Sequence, residues 1–477
     1  MTKQSKYRLK VDAFLPIFFF LPFLVVYIPI GLQGFTASIF THPFVLVYDY
    51  KALKINNIIQ VSIIFISMIY FIYFGKVFLF KKVLIPFYTL IIFSIFSSFA
   101  SNDFILSFKR LAITFIPMLC IIQYFSSHKE PSKVFNLFCT YFIFFVLFLC
   151  IYALIINIFD TVGTFGLPGD QIEIMDSIKI DLGEGLYRFV EYFNPNHSYD
   201  NTPQKCGNIG FIKFFDMYFG QFYSCRNFYE IWLSRPTSLL SNTIGFSQLL
   251  LVSLIIIFNK FLCQKNRYFL LVFFIFFIFF LWTFSRTNQI LLIISLIFLI
   301  IPFKNISKTI SISLICITFS FLSITFLSTG LLEGDYLEPR HAINLERLSM
   351  FLNIANVWDL YGFTGVGFGL SYEGFLSIIK TNLDYQKHLD IISIPSIFFT
   401  ILVELGLIGF IILNLTIFSP IYYCNNKNKI LIVLVFCIFL TQLTDISVFR
   451  FHPMNFLFAF LIGLISNNNY RNEKIEK

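Results

Sequence analysis

Four arginines lie at the edges of long apolar runs, where a permanent charge is costly: Arg110, Arg235, Arg286 and Arg450. A guanidinium group presents a planar fork of donors that binds phosphate through two parallel hydrogen bonds. The edge of a run long enough to cross a bilayer is the level of lipid headgroups. These arginines therefore predict a site for a lipid-linked phosphate. The alternative is a side chain that snorkels to the interface or pairs with a loop carboxylate.

A carboxylate lies inside one of these runs. An ionisable residue within a membrane segment is a functional candidate by default. Glu404 can act as a general base, can orient an arginine, or can form a structural hydrogen bond to a neighbouring helix. Asp445 lies near the end of another run and has Arg450 as a close partner in sequence. Two histidines close to arginines in the sequence, His341 and His452, are reserve candidates for a general base.

The composition indicates which elements must position these residues. Of 477 residues, 57% are hydrophobic and 13% are charged, against roughly a quarter charged in soluble domains. The mean hydropathy is +0.79. Such a chain excludes a soluble enzyme, a disordered protein and a nucleic-acid binder. The sequence has no zinc-protease, paired-cysteine, P-loop or serine-hydrolase motif, so we predict no cofactor and no metal.

The apolar runs predict an all-α polytopic membrane protein, treated as one integral domain over 1–477. A membrane helix needs about 20 mainly apolar residues. Twelve runs meet this need, near 12–31, 58–75, 83–100, 104–125, 134–159, 238–258, 267–284, 287–303, 309–328, 394–417, 429–448 and 452–466. Two long connecting segments, 160–237 and 329–393, are predicted as large extracytoplasmic loops.

The basic residues predict the orientation. If the N-terminus is cytoplasmic, 19 of the 35 Lys and Arg residues fall on the inner side, and every short inner loop carries at least two. Both termini are then cytoplasmic. The two large outer loops hold 18 of the 26 carboxylates, and eight of the eleven arginines lie outside. The lysines thus indicate the topology, and most of the arginines lie on the predicted outer side.

Two cysteines, Cys206 and Cys225, lie in the first large loop. An oxidising compartment permits a disulfide between them. It would close a loop of about 20 residues and stabilise the fold by roughly 3 kcal/mol. Two free thiols are the alternative.

SRPTSLLSN at 234–242 opens an apolar run after a large loop, and SRT at 285–287 lies between two further runs. The first is similar to the arginine motif of bacterial O-antigen polymerases and ligases, and the second resembles their Ser-Arg turn. Arg347 followed by YGFTGVGFG at 361–369 resembles their "R…GxGxG" segment. LVELGLIG at 402–409 is similar to their "LxExG" helix. The resemblance covers roughly 230–415 and the general plan of spans and loops.

One departure favours the polymerase branch. The ligases typically carry a His-Asn pair before the same Glu-x-Gly, and the corresponding positions here are Pro395 and Ser396. His388 is nearby but out of register. A ligase that transfers glycan to lipid A core remains the first alternative. The second is a flippase or other transporter of lipid-linked oligosaccharide, although the sequence shows no internal repeat.

The resemblance implies a GT-C-like, metal-independent glycosyltransferase in the bacterial inner membrane. Its substrate is an oligosaccharide on undecaprenyl pyrophosphate, and its partners are the bilayer, a chain-length regulator and a flippase, with no nucleic acid. The pyrophosphate-binding candidates are Arg235, Arg286, Arg347 and Arg450. The candidates for catalysis are Glu404, Arg286 and Arg347.

Overall fold

The computed structural model is mainly helical. It describes residues 3–20, 29–30, 35–36, 62, 65–75, 81–159, 209–214, 217–228, 231–236, 238, 243–301, 305–328, 362–371, 397–424, 428–442 and 453–467. Within these ranges the helices are α1 (Lys3–Phe18), α2 (Phe65–Phe74), α3 (Ile85–Phe99), α4 (Phe104–Ser126), α5 (Pro131–Phe159), α6 (Thr243–Gln264), α7 (Arg267–Trp282), α8 (Arg286–Ile300), α9 (Ile306–Ser328), α10 (Ile397–Tyr422), α11 (Lys429–Thr441) and α12 (Pro453–Ile465). A 3₁₀ turn at Lys82–Leu84 leads into α3.

Each of the twelve apolar runs overlaps one of these helices. Five helical stretches are long and apolar enough to cross a membrane: Lys82–Phe99, Phe104–Ser126, Pro131–Phe159, Thr243–Gln264 and Thr400–Tyr422. Six further apolar helices have 10–17 described residues. The chain is therefore a mainly helical membrane protein.

Two predicted boundaries are wrong. The first run was expected to be helical over 12–31, but α1 ends at Phe18 and Pro29 lies in a strand. Prolines at 16, 22 and 29 remove donors and disfavour a continuous helix. The sixth span was expected to begin at Ser238, which instead has a φ of 56° and cannot be helical. Its hydroxyl donates to the carbonyl of Leu149 at 2.7 Å, which fixes a turn ahead of α6.

Strands occur in two regions of a chain that was predicted to be all-α. β1 (Pro29–Ile30) pairs with β2 (Phe35–Thr36). In the first large loop, β3 (Ile209–Phe214), β4 (Met217–Phe228) and β5 (Ile231–Pro236) form an antiparallel sheet in the order β3-β4-β5. The sequence here has the aromatic and β-branched content typical of strands, including FYSCRNF at 222–228.

The chain divides into two compact units. The first contains Met1–Ile69, Lys133–Leu296 and Lys477, and the second contains Tyr70–Ser132 and Ile297–Glu476. In the first unit α1 lies against α5, with the rings of Phe20 and Phe142 6.1 Å apart. Lys260 at the end of α6 donates to Thr140 of α5 at 3.0 Å. Nearly all of α6 between Phe246 and Ile257 is buried.

Two pairs of helices pack closely in the second unit. α3 and α10 run antiparallel, because Ser97 is close to Glu404 at one end and Ser419 donates to Val83 O at 2.8 Å at the other. α4 packs on α12, where Gly463 permits a close approach. A Cβ at this glycine would lie 3.0 Å from Phe125 Cβ.

Polar side chains close one end of the second unit. Lys81 donates to Ser466 O at 3.1 Å and also to Ser126 O. Lys429 donates to the carbonyls of Leu299 and Ile301 at 2.8 and 2.7 Å. These bonds satisfy carbonyls at helix C-termini. Each of these lysines belongs to a segment predicted to be cytoplasmic.

Candidate functional site

A glycine-rich segment docks on an interrupted membrane helix in the second unit. Residues 362–371, hereafter the glycine segment, belong to the predicted second large loop. α10 is broken at Gly406, whose φ of 63° and ψ of −167° are not helical. We term residues 403–407 the helix break. Three backbone hydrogen bonds of 3.0, 3.0 and 3.2 Å join segment and break: Val366 N to Val403 O, Gly367 N to Glu404 O, and Leu407 N to Gly362 O.

These bonds replace those that a continuous helix would make. In an α-helix the carbonyl of residue 403 would accept from the N–H of residue 407. Here Val403 O accepts from Val366, while Leu407 N donates to Gly362. Unpaired backbone groups in lipid cost several kcal/mol each, so an interrupted membrane helix persists only where protein or water satisfies it. The glycine segment supplies those partners.

Glycine is required on both sides of this contact. Gly365 has a φ of 73°, and a Cβ there would lie 2.2 Å from the carbonyl carbon of Glu404. Reciprocally, a Cβ on Gly406 would lie 2.4 Å from the carbonyl carbon of Phe363. Both distances are too short for any side chain, and positive φ disfavours other residues. The glycines of the two predicted motifs therefore let two backbones touch.

Side chains of α3 and α4 hold the glycine segment. Three of its carbonyls accept hydrogen bonds from them: Thr364 from Ser97 at 3.0 Å, Phe368 from Ser107 at 2.7 Å, and Gly369 from Arg110 Nη1. Ser97 Oγ also lies 3.2 Å from Glu404 O, so this hydroxyl bridges segment and break. The segment is thus fixed by backbone bonds to α10 and by side-chain bonds to α3 and α4.

The inner face of the segment is apolar and buried. Phe368 is completely buried, and its ring centroid lies 5.1 Å from that of Phe115 on α4. Val366 and Leu370 are also buried, whereas Phe363 is 65% exposed. The segment therefore inserts one apolar edge among the helices and leaves its first turn accessible.

Glu404 lies at the centre of this arrangement. Its side chain has no exposed surface, and its Oε1 accepts from the N–H of Ser371 at 3.3 Å. Burying a carboxylate is costly unless the surroundings compensate it. Its main-chain carbonyl meanwhile accepts from Gly367. The same residue thus joins the break to the middle of the GVGFG motif, at Gly367, and to Ser371 just beyond it.

The site lies near one end of the membrane helices. Ser97 is in the last turn of α3, and Asp103 caps α4 by accepting from Leu106 N at 3.0 Å. Arg110 follows the start of α4 by six residues, or about 9 Å along the axis. Gly406 lies six residues inside the membrane-length stretch Thr400–Tyr422, and the hydrogen bond of Ser97 to Glu404 O places the break level with the last turn of α3.

The other predicted site residues are distributed over the chain. Arg235 and Arg286 belong to the first unit. Arg235 lies in β5, where it pairs in register with Ser224, and so precedes the turn into α6. Arg286 is exposed and begins α8 after the turn that contains Ser285, as the predicted Ser-Arg turn requires. The remaining candidates that lie outside the described residues are Arg347, Arg450, Asp445, His341, His452 and Cys206. Cys225 lies on β4, and the predicted disulfide stays a prediction.

Sequence reasoning missed the role of Arg110 and the serines in this site. Arg110 was identified only as one of the edge arginines. The missed signal is the run SSFASNDFILSFKR at 97–110, where hydroxyl groups and a charge interrupt two apolar helices around a short turn. Hydroxyl groups within membrane helices commonly bond to a neighbouring helix. Four residues of this run contact the glycine segment or the break: Ser97, Ser101, Ser107 and Arg110.

Chemically, the site combines a buried carboxylate, an arginine and a glycine-rich backbone near the α3–α4 turn. Among the described residues, no group of three His, Cys, Asp or Glu side chains is placed to hold a metal ion. No family model, no curated protein and no solved structure matches the chain.

Proposed function

We propose that the chain is an O-antigen polymerase, which joins oligosaccharide repeat units carried on undecaprenyl pyrophosphate. One observation carries this proposal. The two motif stretches that resemble such polymerases, 361–369 and 402–409, are separate in sequence but interlock through three backbone hydrogen bonds. Gly365 and Gly406 each leave room for the backbone of the other stretch. This mutual fit supports the view that the two stretches form one functional unit.

The proposed reaction transfers the growing glycan. The bond between its reducing-end anomeric carbon and pyrophosphate breaks, and a glycosidic bond forms to a hydroxyl of the next lipid-linked unit. The hydroxyl proton passes to a carboxylate within hydrogen-bond reach. Undecaprenyl pyrophosphate leaves with the electron pair. The donor is already activated, so no nucleotide is required.

Each role in this reaction has candidate residues. In the proposal Glu404 accepts the proton, because it is the carboxylate of the glycine site. Arg235, Arg286, Arg347 and Arg450 bind the pyrophosphate and stabilise the charge that develops as it leaves. Holding two lipid-anchored substrates in one membrane converts a bimolecular encounter into a positioned one.

The proposed topology places this site on the periplasmic face of the bacterial inner membrane. All twelve helices would cross, both termini would be cytoplasmic, and the architecture would be GT-C-like. Support comes from the second unit. The glycine segment and the α3–α4 turn, both predicted outside, meet at one end of the helices. The contacts of Lys81 and Lys429, predicted inside, lie at the ends remote from the glycine segment.

A transporter of the same lipid-linked oligosaccharide is the second candidate. A broken membrane helix is typical of transporters, and the break at Gly406 therefore favours this class. Transporter breaks usually lie at the bilayer midplane, whereas Gly406 lies nearer to one end of the stretch Thr400–Tyr422 than to the other. A ligase shares the polymerase architecture and differs in its acceptor. Deletion separates the two enzymes, because loss of a polymerase leaves single repeat units on lipid A core and loss of a ligase leaves none.

The arginine roles are tested by Arg235→Ala and Arg286→Ala. Removing a pyrophosphate-binding guanidinium should lower polymerisation by about 10²-fold, seen as loss of the upper O-antigen bands on a gel. Arg267→Ala is the matched control, since Arg267 also begins an apolar helix but lies on the predicted cytoplasmic side. Its bands should be normal.

The comparison is made at equal protein level in the membrane. Normal ladders from both Arg235→Ala and Arg286→Ala would contradict the pyrophosphate assignment. Equal losses in all three variants would indicate a general effect of removing arginine.

A further inference from the structure

Arg110 connects α4 to the glycine segment. Its Nη1 donates to the carbonyl of Gly369. A Cβ at position 369 would lie 2.8 Å from Arg110 Cδ and 2.9 Å from Arg110 Cβ, so the side chain lies flat against the glycine backbone. A charge within a membrane helix is costly and is usually retained for function. Here the charge is directed at a main-chain carbonyl of the candidate site.

A short path leads from this bond to the Glu404 carboxylate. Gly369 precedes Ser371 by two residues, and Ser371 N–H donates to Glu404 Oε1 at 3.3 Å. Leu370 between them is buried, and its N–H donates to Gly367 O at 3.1 Å. The backbone between Gly369 and Ser371 is therefore held in one conformation. A hydrogen bond of this length weakens steeply when its donor moves away or tilts.

The three side chains that hold the segment are not equivalent. Ser97 and Ser107 donate from neutral hydroxyls, whereas Arg110 donates from a cation. Hydrogen bonds from an ionised donor are roughly twice as strong as neutral ones. Arg110 also binds the carbonyl nearest in sequence to Ser371. Of these three side chains, Arg110 is therefore the best placed to hold the end of the segment, residues 369–371, in position.

We propose that Arg110 is a positioning residue that holds the glycine segment in the register at which Ser371 N–H meets the Glu404 carboxylate. The docking does not depend on the reaction catalysed. The consequence for glycan polymerisation rests on the proposed function. Two separate readouts therefore test the two parts.

Docking is measured with a cysteine in place of Val366, which is 7% exposed. The full-length Val366→Cys chain in lipid nanodiscs is treated with N-ethylmaleimide, and modification of the peptide containing position 366 is followed by mass spectrometry. Adding Arg110→Met should accelerate modification about 10- to 100-fold, because loss of a charged hydrogen bond makes opening of the segment more frequent. Arg110→Lys should stay within about threefold of the parent, since a lysine can also donate to one carbonyl.

Lys109→Met is the matched control, because Lys109 is the adjacent cation and is exposed. It should leave the modification rate unchanged. In the polymerisation assay, Arg110→Met should lower kcat, because the Ser371 N–H no longer stays in register with Glu404, with KM for the lipid-linked unit unchanged. A uniform loss of folded protein would instead lower the yield of all Arg110 variants and leave kcat per folded molecule intact.

Three results would overturn the proposal. The first is an equal modification rate at position 366 with arginine and methionine at 110. The second is fast modification in Arg110→Lys, which would show that the hydrogen bond is not what holds the segment. The third is fast modification with normal kcat in Arg110→Met, which would remove the link to the reaction. A parent chain that makes no polymer contradicts the proposed function alone, because the modification assay still decides the docking.

Discussion

Replacing Glu404 by glutamine should stop glycan extension while leaving folded protein in the membrane. Glutamine has nearly the shape of glutamate, and its amide oxygen can still accept from Ser371 N–H. It cannot take a proton from a sugar hydroxyl. If Glu404 is the general base, the rate of linkage formation should fall by about 10²- to 10⁴-fold. O-antigen gels of the variant should show single repeat units without a ladder.

Asp103→Asn is the matched control for this experiment. Asp103 is an exposed carboxylate at the same end of the helices, and asparagine preserves its cap on α4. This variant should produce a normal ladder. A normal ladder from Glu404→Gln, at parental protein level, would show that the Glu404 charge is dispensable. Glu404 would then be a structural acceptor for Ser371, and the proton would have to go to another carboxylate.

Alanine at Gly365 or Gly406 should separate the glycine segment from the helix break. Each substitution places a Cβ within 2.4 Å of backbone atoms of the facing segment, which is the helix break for Gly365 and the glycine segment for Gly406. Backbone atoms cannot rotate away as a flexible side chain can. The positive φ adds about 1–2 kcal/mol for a residue other than glycine. We expect each variant to lose about 3 kcal/mol or more of stability and all polymerisation.

Thermal unfolding of the purified variants in detergent measures this effect. Ile411→Ala is the matched control, because Ile411 lies on the same helix and is 49% exposed. Its midpoint should stay near the parental value. If Gly406→Ala unfolds at the parental temperature, residue 406 does not need a positive φ, and α10 is continuous at this point.

The positions of the helices could be predicted because a bilayer imposes a minimum length of apolar sequence. Even α4 follows its predicted run, although Lys109 and Arg110 interrupt its first turns. Errors occur where backbone chemistry overrides hydrophobicity. Prolines end α1 early, and the left-handed Ser238 delays α6. Hydropathy carries no information about either effect.

The site was predictable only in part. Glu404 was identified because a carboxylate is conspicuous in an apolar run, and its place beside the GVGFG motif agrees with the motif resemblance. The break was not foreseen, since LVELGLIG is mainly apolar and isolated glycines are tolerated within a helix. What interrupts α10 is the competing set of backbone partners from residues 362–367. Such partners arise only from tertiary structure.

The pairing of Arg110 with Gly369 could not be predicted for the same reason. The two residues are 259 positions apart, and the contact requires α3 and α4 to receive the glycine segment between them. From sequence alone, Arg110 was one of four edge arginines with the same chemistry. The structure shows that the guanidinium of Arg110 donates to the main-chain carbonyl of Gly369.

We propose that this membrane protein forms glycosidic bonds between lipid-linked repeat units. The decisive experiment adds a defined undecaprenyl-pyrophosphate oligosaccharide to vesicles that contain the purified chain, without nucleotide. Mass spectrometry should detect glycans of several repeats and one released undecaprenyl pyrophosphate for each linkage formed. If the oligosaccharide stays one repeat long, or crosses the bilayer chemically unchanged, the polymerase account is wrong.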